Sequence, residues 1–190
     1  MHRDAIAGSI AAIDGVIVTP CEYDSKGYCL DVQVTAQTLL QAVSVIDHCG
    51  FFIEAITGVD WLGEKTARHK EALDRAKAVI AAAAKSAAEK GEEPPPAPPL
   101  PQPPEDMTDE LEVVYDFNRY DDFCRISMRV RVPRSTPCLP TISAIYSGAD
   151  WHERETHDFF GIRFEGHPNL VPLLLPEDAD FHPLLKDFKA

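Results

Sequence analysis

Residues whose types and spacing could do chemistry are concentrated near the C-terminus. The stretch is Ala149-Asp150-Trp151-His152-Glu153-Arg154-Glu155-Thr156-His157-Asp158-Phe159-Phe160-Gly161-Ile162-Arg163-Phe164-Glu165-Gly166-His167-Pro168. Three chemistries are open to it: a metal site, acid–base catalysis, or a docking element with charge pairs and aromatic anchors. His152-Glu153 followed by His157 approaches the zinc-hydrolase pattern H-E-x-x-H, but the second histidine comes one residue late. Helical residues at i and i+4 share a face, whereas i and i+5 are rotated apart by roughly 140°. The zinc-hydrolase reading fails on that geometry.

Glu153, Glu155, His157 and Asp158 could move protons. No nucleophile motif, glycine-rich phosphate loop or dinucleotide fingerprint accompanies them. On a helix, Glu153 faces His157 and Arg154 faces Asp158, each at i,i+4 spacing. Trp151, Glu155 and Phe159 share another face. Mutual pairing is what a buried polar cluster needs, because unpaired charges are costly to bury. The spacing therefore favours an ion-pair-laced docking helix, ended by Gly161, with Gly166-His167-Pro168 turning the chain into a tail. The competing reading is a stand-alone enzyme, metal-assisted or acid/base, using His152, Glu153, His157 and Asp158.

The rest of the chain must position this stretch. At 190 residues with 45% hydrophobic content, it is one domain with appendages. A net charge of −13 argues against autonomous nucleic-acid binding and against a polybasic membrane anchor. It suits a soluble protein or a basic protein partner. No run reaches the length of a transmembrane helix. The Met1–Ile13 segment lacks the long apolar core and clear cleavage site of a secretory signal, so the expected compartment is cytoplasmic. The cysteines Cys21, Cys29, Cys49, Cys124 and Cys138 form no C-x-x-C pair, so they read as reduced thiols rather than cluster or zinc ligands.

Ile13–Thr19 reads as a short strand ended by Pro20, and Tyr28–Val34 as a second extended piece. Thr35–His48 reads as an amphipathic helix with Leu39, Leu40, Val43 and Ile46 on one face and Gly50 past its end. Phe51–Ile56 has strand character, ended by Thr57-Gly58-Val59-Asp60-Trp61. Glu64–Lys90 is a helix by composition, but its apolar positions are mostly alanine and leave little to bury. The proline tract Pro94–Pro104 predicts extended polyproline II. Leu111–Phe117 and Phe123–Val132 alternate like strands and predict an antiparallel hairpin. In the second strand Ile126, Met128, Val130 and Val132 point one way, and Arg125, Ser127, Arg129 and Arg131 the other. Thr141–Tyr146 begins a new element. Beyond Pro168, Pro172, Pro176 and Pro183 forbid regular helix. The leucines between them need a host surface.

Here the residues also resemble a known family. Trp151–Ile162 with Phe164-Glu165-Gly166-His167-Pro168-Asn169-Leu170 looks like the signature of the thirty-kilodalton subunit of respiratory complex I. The equivalent subunit occurs in energy-converting membrane-bound [NiFe] hydrogenases, formate hydrogenlyases and related archaeal complexes. Gly58-Val59-Asp60-Trp61, Leu111–Tyr115, Met128–Pro133 and Pro183-Leu184-Leu185-Lys186-Asp187-Phe188 support the likeness. Three departures stand out. His157 replaces an aromatic residue common in complex I members and points to the hydrogenase-type branch. Leu185 replaces a usual arginine. Residues 64–109 have no counterpart.

The resemblance implies an α+β fold with a small, mostly antiparallel sheet packed with helices, an Ala/Pro-rich insertion and an extended C-terminal tail. Residues 1–63 and 110–164 would be the halves of the α+β domain, 64–109 the insertion, and 165–190 the docking tail. It also implies a non-catalytic structural subunit of the hydrophilic arm, peripheral on the cytoplasmic side of the membrane. The chain would hold no cofactor of its own. Iron–sulfur clusters, and a nickel–iron centre or quinone, would belong to its partners, the large hydrogenase-like subunit and the small iron–sulfur subunit. Membrane contact would be indirect, through the complex. The docking residues would be Trp151, Glu153, Arg154, Glu155, His157, Asp158, Phe159, Gly161, Gly166, His167, Pro168, Lys186, Asp187 and Phe188.

Overall fold

The structure is a computed structural model that describes residues 3–90, 96–121 and 124–189. Part of the expected proline tract (Pro94 and Pro95) and the first residue of the expected arginine strand (Phe123) lie outside the described residues. The chain divides into two compact units, Met1–Trp61 with Glu110–Ala190, and Leu62–Asp109.

The first unit is α+β. Its sheet contains β1 (Ile17–Pro20), β2 (Leu30–Val34), β3 (Phe52–Asp60), β4 (Glu110–Arg119) and β5 (Cys124–Pro133), in the order β1-β2-β5-β4-β3. Only β2 and β5 run parallel; the other neighbours are antiparallel. The β4–β5 hairpin forms as the alternation predicts. Leu111, Val113, Tyr115 and Phe117 of β4 are buried with Ile126, Met128, Val130 and Val132 of β5. Packed into the same core are α1 (Arg3–Ala11), through Ile6 and Ile10, and α3 (Leu39–His48), through Leu39, Ala42, Val43 and Ile46. A short turn of helix, α2 (Tyr23–Lys26), links β1 to β2.

The opposite face of the sheet is charged, and its arginines are ion-paired within the chain. Arg125 pairs with Glu54 and Asp116, Arg129 with Asp31 and Glu112, and Arg131 with Glu110 and Glu112. Lateral carboxylates on β2, β3 and β4 thus supply the acids that the arginine row needs.

The sequence carries no assignment for Arg3–Ala11, which is helical, with two isoleucines one turn apart facing the core. Other expectations are corrected. Leu40 is exposed, and Ala42 takes its place on the buried face of α3. Strand β3 does not end at Ile56; it pairs with β4 through to Asp60. Thr141–Tyr146 is a chain of turns, preceded by the strand β6 (Cys138–Pro140). β6 pairs in parallel with β7 (Arg163–Glu165), and α5 (Ala149–Phe160) connects them.

The second unit contains α4 (Glu64–Lys90) and the described part of the proline tract. Lys65 pairs with Asp106, and the Gly63 N–H donates to Asp109 at 2.8 Å. Val79, Ile80, Ala83 and Ala84 of α4 share a small apolar groove with Pro96, Ala97 and Pro98.

Candidate docking site: helix α5 and the C-terminal tail

Helix α5 carries the dense stretch and ends at Gly161, which adopts the left-handed conformation at φ 73° and donates to the His157 carbonyl at 2.8 Å. Left-handed backbone is cheap only for glycine. Space enforces the choice too, because a Cβ at Gly161 would lie 2.6 Å from Nε2 of His182. The helix reaches the sheet closely at Gly58, where a Cβ would overlap the Phe160 ring. That contact explains a glycine inside β3.

The i,i+4 pairs expected along α5 are not how its charges are used. Glu153, fully buried, accepts from the Ile142 N–H at 2.8 Å and from the Thr141 hydroxyl. Its other neighbour is not His157 but His167, whose buried Nε2 lies 3.8 Å from one Glu153 oxygen and 3.1 Å from Asp150. Burial pushes the Glu153 carboxyl up to about 7, against the bonds from Thr141 and Ile142 and with help from Asp150. The buried Tyr115 hydroxyl, which feels the Glu153 charge, has no hydrogen-bond partner among the described residues. His157 Nδ1 lies 2.9 Å from the Ile162 carbonyl oxygen, across the helix end.

Arg154 and Asp158 hold the tail rather than each other. The Arg154 guanidinium donates to the Val171 and Pro172 carbonyls at 2.9 and 2.8 Å. One oxygen of Asp158 accepts the N–H groups of Leu173, Leu174 and Leu175 at 2.9, 2.7 and 3.2 Å. Burial alone would raise this carboxyl, but the three N–H groups overcome it and hold Asp158 below its ordinary range. Tertiary contacts win here because a prolyl-interrupted segment has no secondary structure to satisfy its own backbone.

Two further ties fix the rest of the tail. His182 Nδ1 lies 2.8 Å from the Asp158 carbonyl, and the Leu184 N–H donates to the Phe159 carbonyl at 3.2 Å. At the far end, buried Asp60 accepts the Lys186 N–H at 2.8 Å and bonds from Nε and Nη2 of Arg134, which also binds Asp187. Asp60 could be noticed as the acid of Gly58-Val59-Asp60-Trp61. Arg134, Thr141 and His182 carry no spacing signal and are found only in the structure.

The backbone of the tail is thus fixed, Leu170 and Leu185 pack against the core, and the other large side chains divide between half-buried and exposed. Leu174 is 61% exposed, as is Trp151 on α5, and Val171, Phe181, Leu184 and Phe188 are also exposed. Among the expected docking residues, Trp151, Glu155, Pro168, Lys186, Asp187 and Phe188 are at the surface. Glu153 and Asp158 are inside, as is the side chain of His167. Arg154, His157, Phe159 and Gly161 are half-buried, and exposed Gly166 makes its turn at φ 82°. The two carboxylates that an acid/base enzyme would use are therefore engaged by the chain's own donors. Among the described residues, no three His, Cys, Asp or Glu side chains are grouped to hold a metal ion.

The family model for the respiratory-chain NADH dehydrogenase 30 Kd subunit matches residues 32–190, which takes in the sheet from β2 onward, α5 and the tail. The chain belongs to this family. The C subunit of the NADH-quinone oxidoreductase of Mycobacteroides abscessus is 46% identical over 85 residues, covering 45% of this chain and 37% of that one. The same protein of Mycolicibacterium smegmatis is 45% identical over 85 residues, covering 45% and 36%. The match thus spans little more than a third of these relatives' length. Two solved structures share the fold. The trypsin-resistant fragment of Nqo5 matches with TM-score 0.55 and 24% identity, covering 90% of this chain and all of that one. A chain of the membrane-bound sulfane sulfur reductase, an archaeal respiratory membrane complex, matches with TM-score 0.64 and 19% identity, covering 98% and 84%. No helix among the described residues is long and apolar enough to cross a membrane.

Proposed function

We propose that this chain is a non-catalytic structural subunit in the hydrophilic arm of a membrane-bound redox complex, of complex I or energy-converting hydrogenase type. It docks onto the large hydrogenase-like subunit, beside the small iron–sulfur subunit, and supports electron transfer coupled to ion translocation. In this reading the redox centres reside in those partners. The chain sits peripherally on the cytoplasmic side of the membrane and reaches it only through the complex.

One observation carries the reading: the tail is held largely by its backbone and offers a subset of its apolar side chains. Arg154, Asp158 and Asp60 bind main-chain atoms of Val171–Leu175 and Lys186, while Val171, Leu174, Leu184 and Phe188 stay exposed. A partner that covers these side chains meets a surface already ordered, so less conformational entropy is lost on binding. Exposed apolar side chains held this way mark an interaction surface. The test is purification of the tagged chain from its own cells. The large subunit and the iron–sulfur subunit should come with it, and a Leu174→Asp variant should lose both. Recovery of the wild-type chain alone would overturn the reading.

A further inference from the structure

The sheet has two edges, and they differ. β1 is four residues long and closes on Pro20, a short, proline-ended edge of the kind that resists further pairing. β3 is nine residues long, contains no proline, and pairs on one side only, with β4. Among the described residues no strand occupies its outer side. Its acid Glu54 is turned to Arg125 rather than set as a guard charge.

A cleft of about 300 Å³ runs beside this edge. It touches Ala55, Ile56, Thr57 and Gly58, four consecutive residues. Successive side chains of a strand point to opposite faces, so a cleft confined to one face would meet only alternate residues. Contact with four consecutive residues takes in both pleat directions, as a cleft beside the last strand of the sheet would. The far wall is α5 and the tail, with Phe159, Phe160 and Leu184 giving apolar surface and His152 and Glu155 giving polar surface. Glu155 is exposed, and no cation among the described residues pairs with it.

We infer that β3 takes a sixth strand: an extended segment of the large partner subunit lies in this cleft, bonded to the β3 backbone, with an apolar side chain against Phe159 and Leu184 and a basic one opposite Glu155. Main-chain pairing supplies affinity in such strand addition, and the pockets beside it supply specificity. The basic residue follows from the Glu155 carboxylate and from the chain's net charge of −13. The inference rests on the docking reading above, since Leu184 and Glu155 belong to both surfaces.

The test is amide hydrogen exchange of the whole chain, alone and in the purified complex. Binding should slow exchange in peptides covering 52–60 by about 10-fold or more, at the alternate amides that β4 does not already bond. Glu155→Arg should weaken association several-fold without abolishing it. A complex that forms with unchanged exchange across β3 overturns the added strand and leaves the docking reading standing. Slowed exchange with no effect of Glu155→Arg overturns the basic partner residue. No complex at all removes both the docking reading and this inference.

Discussion

The Asp158 carboxylate accepts the Leu174 N–H at 2.7 Å, with the neighbouring N–H groups of Leu173 and Leu175 converging on the same oxygen. One side chain of α5 thereby replaces the secondary structure that this leucine/proline segment cannot make. Asp158→Ala leaves three half-buried donors without an acceptor and should cost about 3 kcal/mol. The loss should appear as faster proteolysis and faster exchange in residues 171–176. Because Asp158 is held below its ordinary carboxylate range, its contribution is present at neutral pH and is lost as pH falls through that lowered value.

Gly58→Ala should destabilise the fold by about 2 kcal/mol, because Phe160 must leave its place on β3. Thermal melting of the single variant and of Gly58→Ala with Phe160→Leu checks the cause. The double variant should lose less than the sum of the singles, as expected for residues in direct contact.

Glu153 gives the opposite pH signature to Asp158. Its ordinary value is 4.5, and burial lifts it to about 7. Below 4.5 both folded and unfolded chains hold the proton. Between 4.5 and about 7 only the folded chain does, so stability falls as pH rises through this window, by about 3 kcal/mol in all, and is then level. Glu153→Gln keeps the shape and has no proton to lose. Denaturant unfolding at pH 5 and pH 8 should show a smaller drop for Glu153→Gln than for the wild type.

Asp60→Asn should free the end of the tail without unfolding the sheet, since Arg134 and the Lys186 N–H lose a charged acceptor. Exchange should quicken at residues 185–188 and stay slow across β4 and β5.

Local patterns are legible in the sequence. The period-two alternation of β4 and β5, the Ala-rich composition of α4 and the Gly161 stop of α5 each lie within one element and report on that element. Contacts between distant segments are not legible. The parallel pairing of β2 with β5 depends on a register that neither strand encodes alone. Helix α1 escapes a sequence reading because only Ile6 and Ile10 mark its buried face. Thr57-Gly58 reads as a strand end, yet Gly58 is there to admit Phe160. The i,i+4 spacing correctly names Glu153, Arg154, His157 and Asp158 as pairing residues. It chooses the wrong partners, because backbone groups from turns and tail outcompete neighbours on the helix surface.

If the apolar face ordered on α5 and the tail is where the large subunit binds, substitutions on that face must release the partner without loosening the chain. Co-purification of the large subunit with tagged wild-type chain, and with Leu174→Asp and Trp151→Asp variants whose folding is verified by melting, measures this. Near-stoichiometric recovery is expected with wild type, and loss with both variants at unchanged melting temperature. Equal recovery of the large subunit by wild type and by both folded variants would show that it binds elsewhere and refute docking through α5 and the tail.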